Sequence, residues 1–204
     1  YVTGSGEGPG GNDIITVKYS SGGTQQWVSI FDSGNDDKTW KSNSYNVSSK
    51  AIALDANSDV YVVGSSNGNY VTLKYDHISG TQIRATTYDR LGFNDEGTAI
   101  TIKLDVFSGK EYVYVTGLST NASFTLAYAT LKYDTAGNVK WTRINAGGQI
   151  PEAIAVDNTG NVYITGQQFS TGTAVFCTVK NDSAAVFKWT RTYSYGAGSN
   201  NTAY

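Results

Sequence analysis

One cysteine, one histidine, two prolines and no methionine occur among 204 residues. A lone Cys177 leaves no partner for an internal disulfide. Its neighbours, Ala174 to Lys180, alternate as a strand, so the thiol is expected to be buried and inert. The single histidine, His77, lies in a turn, Asp76-His77-Ile78-Ser79-Gly80. A catalytic triad or a histidine-ligated metal site is therefore nearly excluded. Charge is sparse at 16%, with 15 Lys+Arg against 17 Asp+Glu and a formal net charge of −2. That is no electrostatic footprint for nucleic acid, and no nucleic-acid partner is expected. No apolar run approaches the ~20 residues that span a bilayer, so no membrane insertion is expected. The chain opens at Tyr1 inside a repeated motif with no signal segment, and is expected to be a processed product or a piece of something longer.

What is abundant is Gly, Ser, Thr, Asn and Tyr, arranged in a repeat. Tyr-Val-Thr-Gly at 1–4 returns as Tyr-Val-Val-Gly at 61–64, Tyr-Val-Thr-Gly at 114–117 and Tyr-Ile-Thr-Gly at 163–166, with spacings of 60, 53 and 49 residues. Periods of this length built from short alternating segments predict a propeller or a solenoid. Each period holds four strand signals. Strand a is small and apolar, as in Lys50-Ala51-Ile52-Ala53-Leu54-Asp55. Strand b is the Tyr-Val-Thr-Gly motif. Strand c carries Thr-Leu-Lys-Tyr or a variant, at 16–19, 72–75, 130–133 and 178–181. Strand d carries Trp27, Trp141 or Trp189, with Arg84 standing where the second period should have its tryptophan. β-Branched and aromatic residues dominate, and no helical period competes.

The expected fold is therefore all-β: a β-propeller of four-stranded blades over 1–204, with repeats near 1–60, 61–113, 114–162 and 163–204, closed alone or part of a larger propeller. The alanines of strand a suit the crowded axis, and the charges of strand d suit an outer edge. The three repeat tryptophans are expected to be buried equivalently between blades, and the Arg84 blade to be packed differently. Lys18, Lys74, Lys132 and Lys180 form a column on strand c, expected to pair within each blade with Asp55, Asp105 and Asp157.

Two stretches carry a family likeness. Asn12-Asp13-Ile14-Ile15-Thr16-Val17-Lys18-Tyr19 is followed by Gly-x-x-x-Trp, and Ala-Ile-Ala-Val-Asp-Asn-Thr-Gly-Asn-Val-Tyr-Ile-Thr-Gly occupies 153–166. Both resemble the bacterial SBBP-type β-propeller repeat, in four copies over nearly the whole chain. The Tyr-Val-Thr-Gly segment is also similar to the YVTN repeats of prokaryotic surface-layer proteins, with Gly in place of their Asn. Asp134 to Trp141 bears a weaker likeness to quinoprotein dehydrogenase propellers. The SBBP resemblance implies bacterial, exported, often multi-domain surface proteins. It implies no shared reaction, so no catalytic residue carries over and no cofactor is expected.

Function then rests on loops. The a–b and c–d turns are short and alike, whereas segments 4–13, 32–49, 90–98, 117–126, 167–173 and 194–201 read as long, unlike connections emerging at one end. The richest is 32–49. There Trp40 and Tyr45 stand among Asn35, Asp36 and Asp37, an aromatic platform with polar rims of the kind that stacks a sugar ring. The competing reading is that Trp40 anchors the loop. Phe93 completes the candidate ligand-binding set. Asp55-Ala56-Asn57-Ser58-Asp59 mimics the start of a calcium loop but lacks its later ligands and reads as an Asx turn; no metal residue is assigned. Four sequons, at Asn46, Asn121, Asn181 and Asn200, are what an Asn/Ser/Thr-rich composition produces.

The leading expectation is an exported, non-enzymatic structural or interaction module (adhesion, surface display or extracellular assembly), extracellular or at the cell surface. Its partners are expected to be a protein or glycan at the long-loop face, or neighbouring copies in an assembly. A glycan-binding propeller is the first alternative. A propeller enzyme, quinoprotein-like oxidoreductase or lyase, is the second.

Overall fold

The computed structural model describes residues 1–39, 50–146, 149–170 and 173–194, and every regular element among them is a β-strand. The strands form four antiparallel sheets, each a meander of consecutive segments. The first holds β1 (Val2–Gly8), β2 (Gly11–Tyr19) and β3 (Gln25–Phe31). The second holds β4 (Asp37–Lys38), β5 (Ile52–Leu54), β6 (Val60–Ser66), β7 (Asn69–Tyr75) and β8 (Gln82–Tyr88), with β4 and β5 both paired to β6. The third runs β9 (Asp95–Asp105), β10 (Lys110–Thr120), β11 (Leu126–Asp134) and β12 (Val139–Ala146). The fourth runs β13 (Gln149–Val156), β14 (Val162–Ser170), β15 (Thr173–Asn181) and β16 (Phe187–Tyr193).

The expected strand order holds inside each sheet, and a sheet begins with strand a, one strand before the Tyr-Val-Thr-Gly motif. The first sheet has no strand a among the described residues. In the second, strand a is divided into β4 and β5. The candidate residues Trp40 and Tyr45 fall in 40–49, which lie outside the described residues.

The motif glycine has a steric cause. In the third sheet β9 shifts register opposite Gly117, and the Glu96 carbonyl oxygen would lie only 2.0 Å from a Cβ there. The Lys38 carbonyl stands over Gly64 and the Ile150 carbonyl over Gly166 in the same way, at 2.2 and 2.0 Å. Only a residue without a side chain admits this crossing. Gly4, the same motif position in the first sheet, has nothing within 4 Å of a built Cβ.

The sheets stack in chain order, each face burying apolar side chains against the next. Ile14 and Trp27 meet Val62, Val71, Leu73 and Tyr75. Tyr61, Val63 and Tyr70 meet Val113, Val115, Ala129, Leu131 and Tyr133. Tyr114, Tyr128 and half-buried Trp141 meet Val162, Ile164, Cys177 and Val179. Tyr70 and Tyr128 donate across these seams to the carbonyls of Ala129 and Gln167. Strands a of successive sheets adjoin: Ile100 N–H donates to Lys50 O, and Thr98 Oγ1 to Pro151 O. Strands d alternate between exposed and half-buried residues, as outer edges do.

One contact recurs at each seam. Trp27 Nε1 donates to His77 O at 3.2 Å, Arg84 Nη1 to Thr135 O at 3.0 Å, and Trp141 Nε1 to Ser183 O at 3.2 Å. Each acceptor is the second residue of the next sheet's c–d turn. Arg84 therefore fills the tryptophan's slot, its stem lying against Gly137 as Trp27 lies against Gly80. The expectation that the tryptophans are equivalent needs correction. Trp27 is 7% exposed, whereas Trp141 and Trp189 are half-buried, because burial depends on what the next sheet supplies.

Candidate functional site

Because successive strands are antiparallel, b–c and d–a connections emerge at one end and a–b and c–d turns at the other. Several connections are shorter than the sequence suggests. Residues 4–8 and 11–13 belong to β1 and β2, 95–98 to β9, and 117–120 to β10. These Gly-, Ser- and Thr-rich stretches read as loops, yet their backbones pair along neighbouring strands.

At this end the first three sheets enclose an open cleft of about 500 Å³, lined by Gly10, Gly34, Asn35, Asp36, Lys38, Ser65, Asn67, Gly68, Asn94 and Glu96. Asn35 and Asp36 come from the d–a loop, Gly10 and Asn67-Gly68 from two b–c turns, and Asn94 from the next d–a loop. Asn67 at φ 49° and Gly68 at φ 76° make the tight turn between β6 and β7.

Asp36 is the best-defined charge here. It is paired with Lys38 and accepts from Asn12 Nδ2 at 2.8 Å and Asn12 N at 3.2 Å. The Lys38 hydrogen bond, followed by Asn12, lowers its pKa to about 2, so the carboxylate stays ionised in the cleft.

Asp37 does not join it. It is fully buried, and accepts from Ser33 N at 2.7 Å and Ser33 Oγ at 2.9 Å. Its assignment to a ligand surface is corrected: it closes the loop. Asp95 has the same place in the next sheet, accepting from Arg90 N, and burial raises its pKa. Trp40 and Tyr45 lie outside the described residues. Phe93 is half-buried beside the cleft rather than in its lining, edge-on to Phe124 with centroids 6.4 Å apart. Phe124 is 79% exposed at φ 54° and Leu91 is 72% exposed at φ 64°. Both are large apolar residues held outward in a backbone region such residues rarely occupy. Sequence reasoning missed them, together with Gly10, Asn67, Asn94 and Glu96, because the cleft draws on turns far apart in the chain.

Two clusters bring three possible metal-ligating groups within 4.8 Å among the described residues. In one, Asp13 and Asp32 face Asp37; burial, then the charges of Asp32 and Asp37, raises the Asp13 pKa. In the other, Asp59, Asp76 and His77 gather, but Lys74 Nζ already sits 3.0 Å from Asp59 and 3.1 Å from Asp55. The Asp55 carboxylate accepts from the amides of Asn57 and Asp59, the geometry of an Asx turn.

The lysine column is used as expected in part. Lys74 pairs with Asp55, while Lys132 and Lys180 lie over Tyr112 and Tyr163. Lys18, whose sheet has no strand a among the described residues, donates to His77 O of the next sheet. Cys177 is fully buried beside Tyr128, and burial pushes its thiol up to about 11.

No protein-family model matches the sequence, and no curated protein matches it. Among solved structures, the chain is similar to the tail fiber of Staphylococcus aureus phage P68, at 11% identity and a TM-score of 0.34. The match covers 92% of this chain and 52% of that one, so the chain spans about half the length of its structural neighbour.

Proposed function

We propose that the chain is an exported, non-enzymatic structural and interaction module at the cell surface or outside the cell, its four sheets being successive blades of a β-propeller. The blade reading is supported by strands a adjoining on the inside and strands d forming the outer edge. The interaction reading rests on one observation: the open polar cleft at the long-loop end, where connections from different sheets converge on an ionised Asp36. Varied loops on a rigid sheet scaffold are the usual carriers of recognition.

A second reading is favoured by what lines the cleft. Amides from Asn35, Asn67 and Asn94, carboxylates from Asp36 and Glu96, and three glycines offer donors, acceptors and close backbone approach. That chemistry suits a hydroxyl-rich ligand, and so a glycan. The test is a glycan array with the whole chain, repeated on Asn35→Ala with Asp36→Ala. The glycan reading expects binding that falls at least tenfold in the double variant while the unfolding midpoint stays within the range of surface changes. Glycan binding unaffected by the substitutions would displace the site. A protein partner lost on the same substitutions would keep the module and remove the glycan.

A further inference from the structure

Three carboxylates meet in the seam between the first two sheets. Asp13 comes from β2, Asp32 from the loop after β3, and Asp37 opens β4; one oxygen of each lies within 4.8 Å of the others. Asp13 is 7% exposed and Asp37 is fully buried. Asp13 Oδ1 is buried with no hydrogen-bond partner, and the charges its carboxylate faces are those of Asp32 and Asp37. Among the described residues none of the three is in an ion pair, and the nearby Lys38 is paired with Asp36. The other acidic cluster differs here: Asp59 has Lys74 Nζ at 3.0 Å and His77 Nδ1 at 3.3 Å. A buried carboxylate with a bare oxygen, set between two more carboxylates, is costly without a cation among them.

Closing the loop does not require the third acid. In the next seam Asp89 and Asp95 repeat Asp32 and Asp37. They accept from Gly92 N and Arg90 N, as the first pair accepts from Gly34 N and Ser33 N. The residue that corresponds to Asp13 there is Asn69. Both stand two residues before the strand-c residue opposite the motif glycine, Ile15 opposite Gly4 and Val71 opposite Gly64. Asp13 is thus a charge added to an arrangement that works without it. The chain also makes room for it, since a Cβ on Gly8 would lie 2.0 Å from Asp13 Oδ2.

We propose that Asp13, Asp32 and Asp37 hold a calcium ion in this seam. The donors are hard carboxylate oxygens, the type calcium takes. Opposite oxygens of a calcium shell stand about 4.6–5.2 Å apart, twice a bond of about 2.3–2.6 Å, so oxygens within 4.8 Å of one another fit around one ion. Asp37 keeps its bonds from Ser33 N and Oγ and offers its remaining lone pairs. Asp32 is exposed, so waters complete the shell from its side. The ion ties β2 to the loop that carries Asn35 and Asp36 into the cleft. It clamps one wall of the cleft and does not depend on what the cleft binds.

Calcium itself is the probe. The whole chain, freed of metal with a chelator, is titrated by calorimetry and melted with and without calcium. One site is expected, with a dissociation constant of about 10⁻⁵–10⁻³ M. At ten times that constant the unfolding midpoint should rise by about 3–6 °C. Asp13→Asn and Asp32→Asn should each weaken binding at least tenfold and reduce the rise accordingly. Asp13→Asn also removes a like charge, so it should compare better with the parent in chelator than in calcium. Asp32 is exposed, so its variant carries the test if Asp13→Asn fails to fold. Asp76→Asn, in the other cluster, should bind calcium as the parent does. A parent that shows neither heat nor a midpoint shift would overturn the proposal. So would binding that survives both Asp13→Asn and Asp32→Asn, binding lost in a folded Asp76→Asn, or an Asp13→Asn deficit that is the same with and without calcium.

Discussion

Alanine at the motif glycine should have opposite consequences in different sheets, although the local sequence is nearly the same. Consider Gly117→Ala in Tyr-Val-Thr-Gly of the third sheet and Gly4→Ala in the first. At Gly117 the new methyl would sit 2.0 Å from Glu96 O and 2.6 Å from the Tyr70 hydroxyl. A carbon and an oxygen need more than 3 Å, so β9 must move outward by about an ångström. That strains a fully buried seam, at roughly 1–3 kcal/mol for overpacking. It also weakens one or two ladder hydrogen bonds, at about 1 kcal/mol each. A loss of about 2–4 kcal/mol is expected, lowering the midpoint by roughly 5–15 °C in a chain of this size. At Gly4 there is no neighbour to meet. Alanine also restricts the unfolded chain more than glycine does, worth about 0.4–1 kcal/mol in favour of the folded state. Urea unfolding of the two variants beside the parent reads the difference directly. Equal losses at both positions would refute the steric explanation of the motif.

The tryptophan gradient gives a second test. Trp27→Ala should cost about 3–5 kcal/mol, and Trp141→Ala roughly half of that, since it starts half-exposed; equal losses in denaturant melts would contradict the burial difference. The phenols give a third. Burial raises Tyr75, Tyr114 and Tyr133 from 10 to about 12. Their stabilisation is present in full below pH 10, where both states are protonated. It is lost between pH 10 and about 12, where only the unfolded chain ionises, by up to roughly 2–3 kcal/mol per residue. Ultraviolet phenolate titration should show late tyrosines ionising together with unfolding, and phenols that all titrate near 10 in a folded chain would refute it.

The parts legible in the sequence are those set by neighbours along the chain. Alternation and turn residues marked the strands, and Asp-x-x-Gly-Asn marked the tight turns. What a strand meets across space was not legible. Gly64, Gly117 and Gly166 looked like punctuation because the carbonyls crossing them come from 16 to 26 residues upstream. Arg84 looked like a defect because its role is read only against Thr135 O. In the cleft, Asn35 and Asp36 were visible as a polar loop. The burial of Asp37 beside them was not, because it follows from how the loop folds back on Ser33.

Each sheet is made from one uninterrupted stretch, with strand pairs closed mostly by turns of a few residues. Most pairing is therefore local, and the entropy of closing each hairpin is small. During synthesis a meander has its own ladder as soon as its last strand leaves the ribosome, and its outward face is ready before the next sheet exists. Assembly can thus run in the direction of translation, each completed sheet acting as the template on which its successor condenses. A defect in one seam would stall this growth at that point and leave the earlier sheets formed.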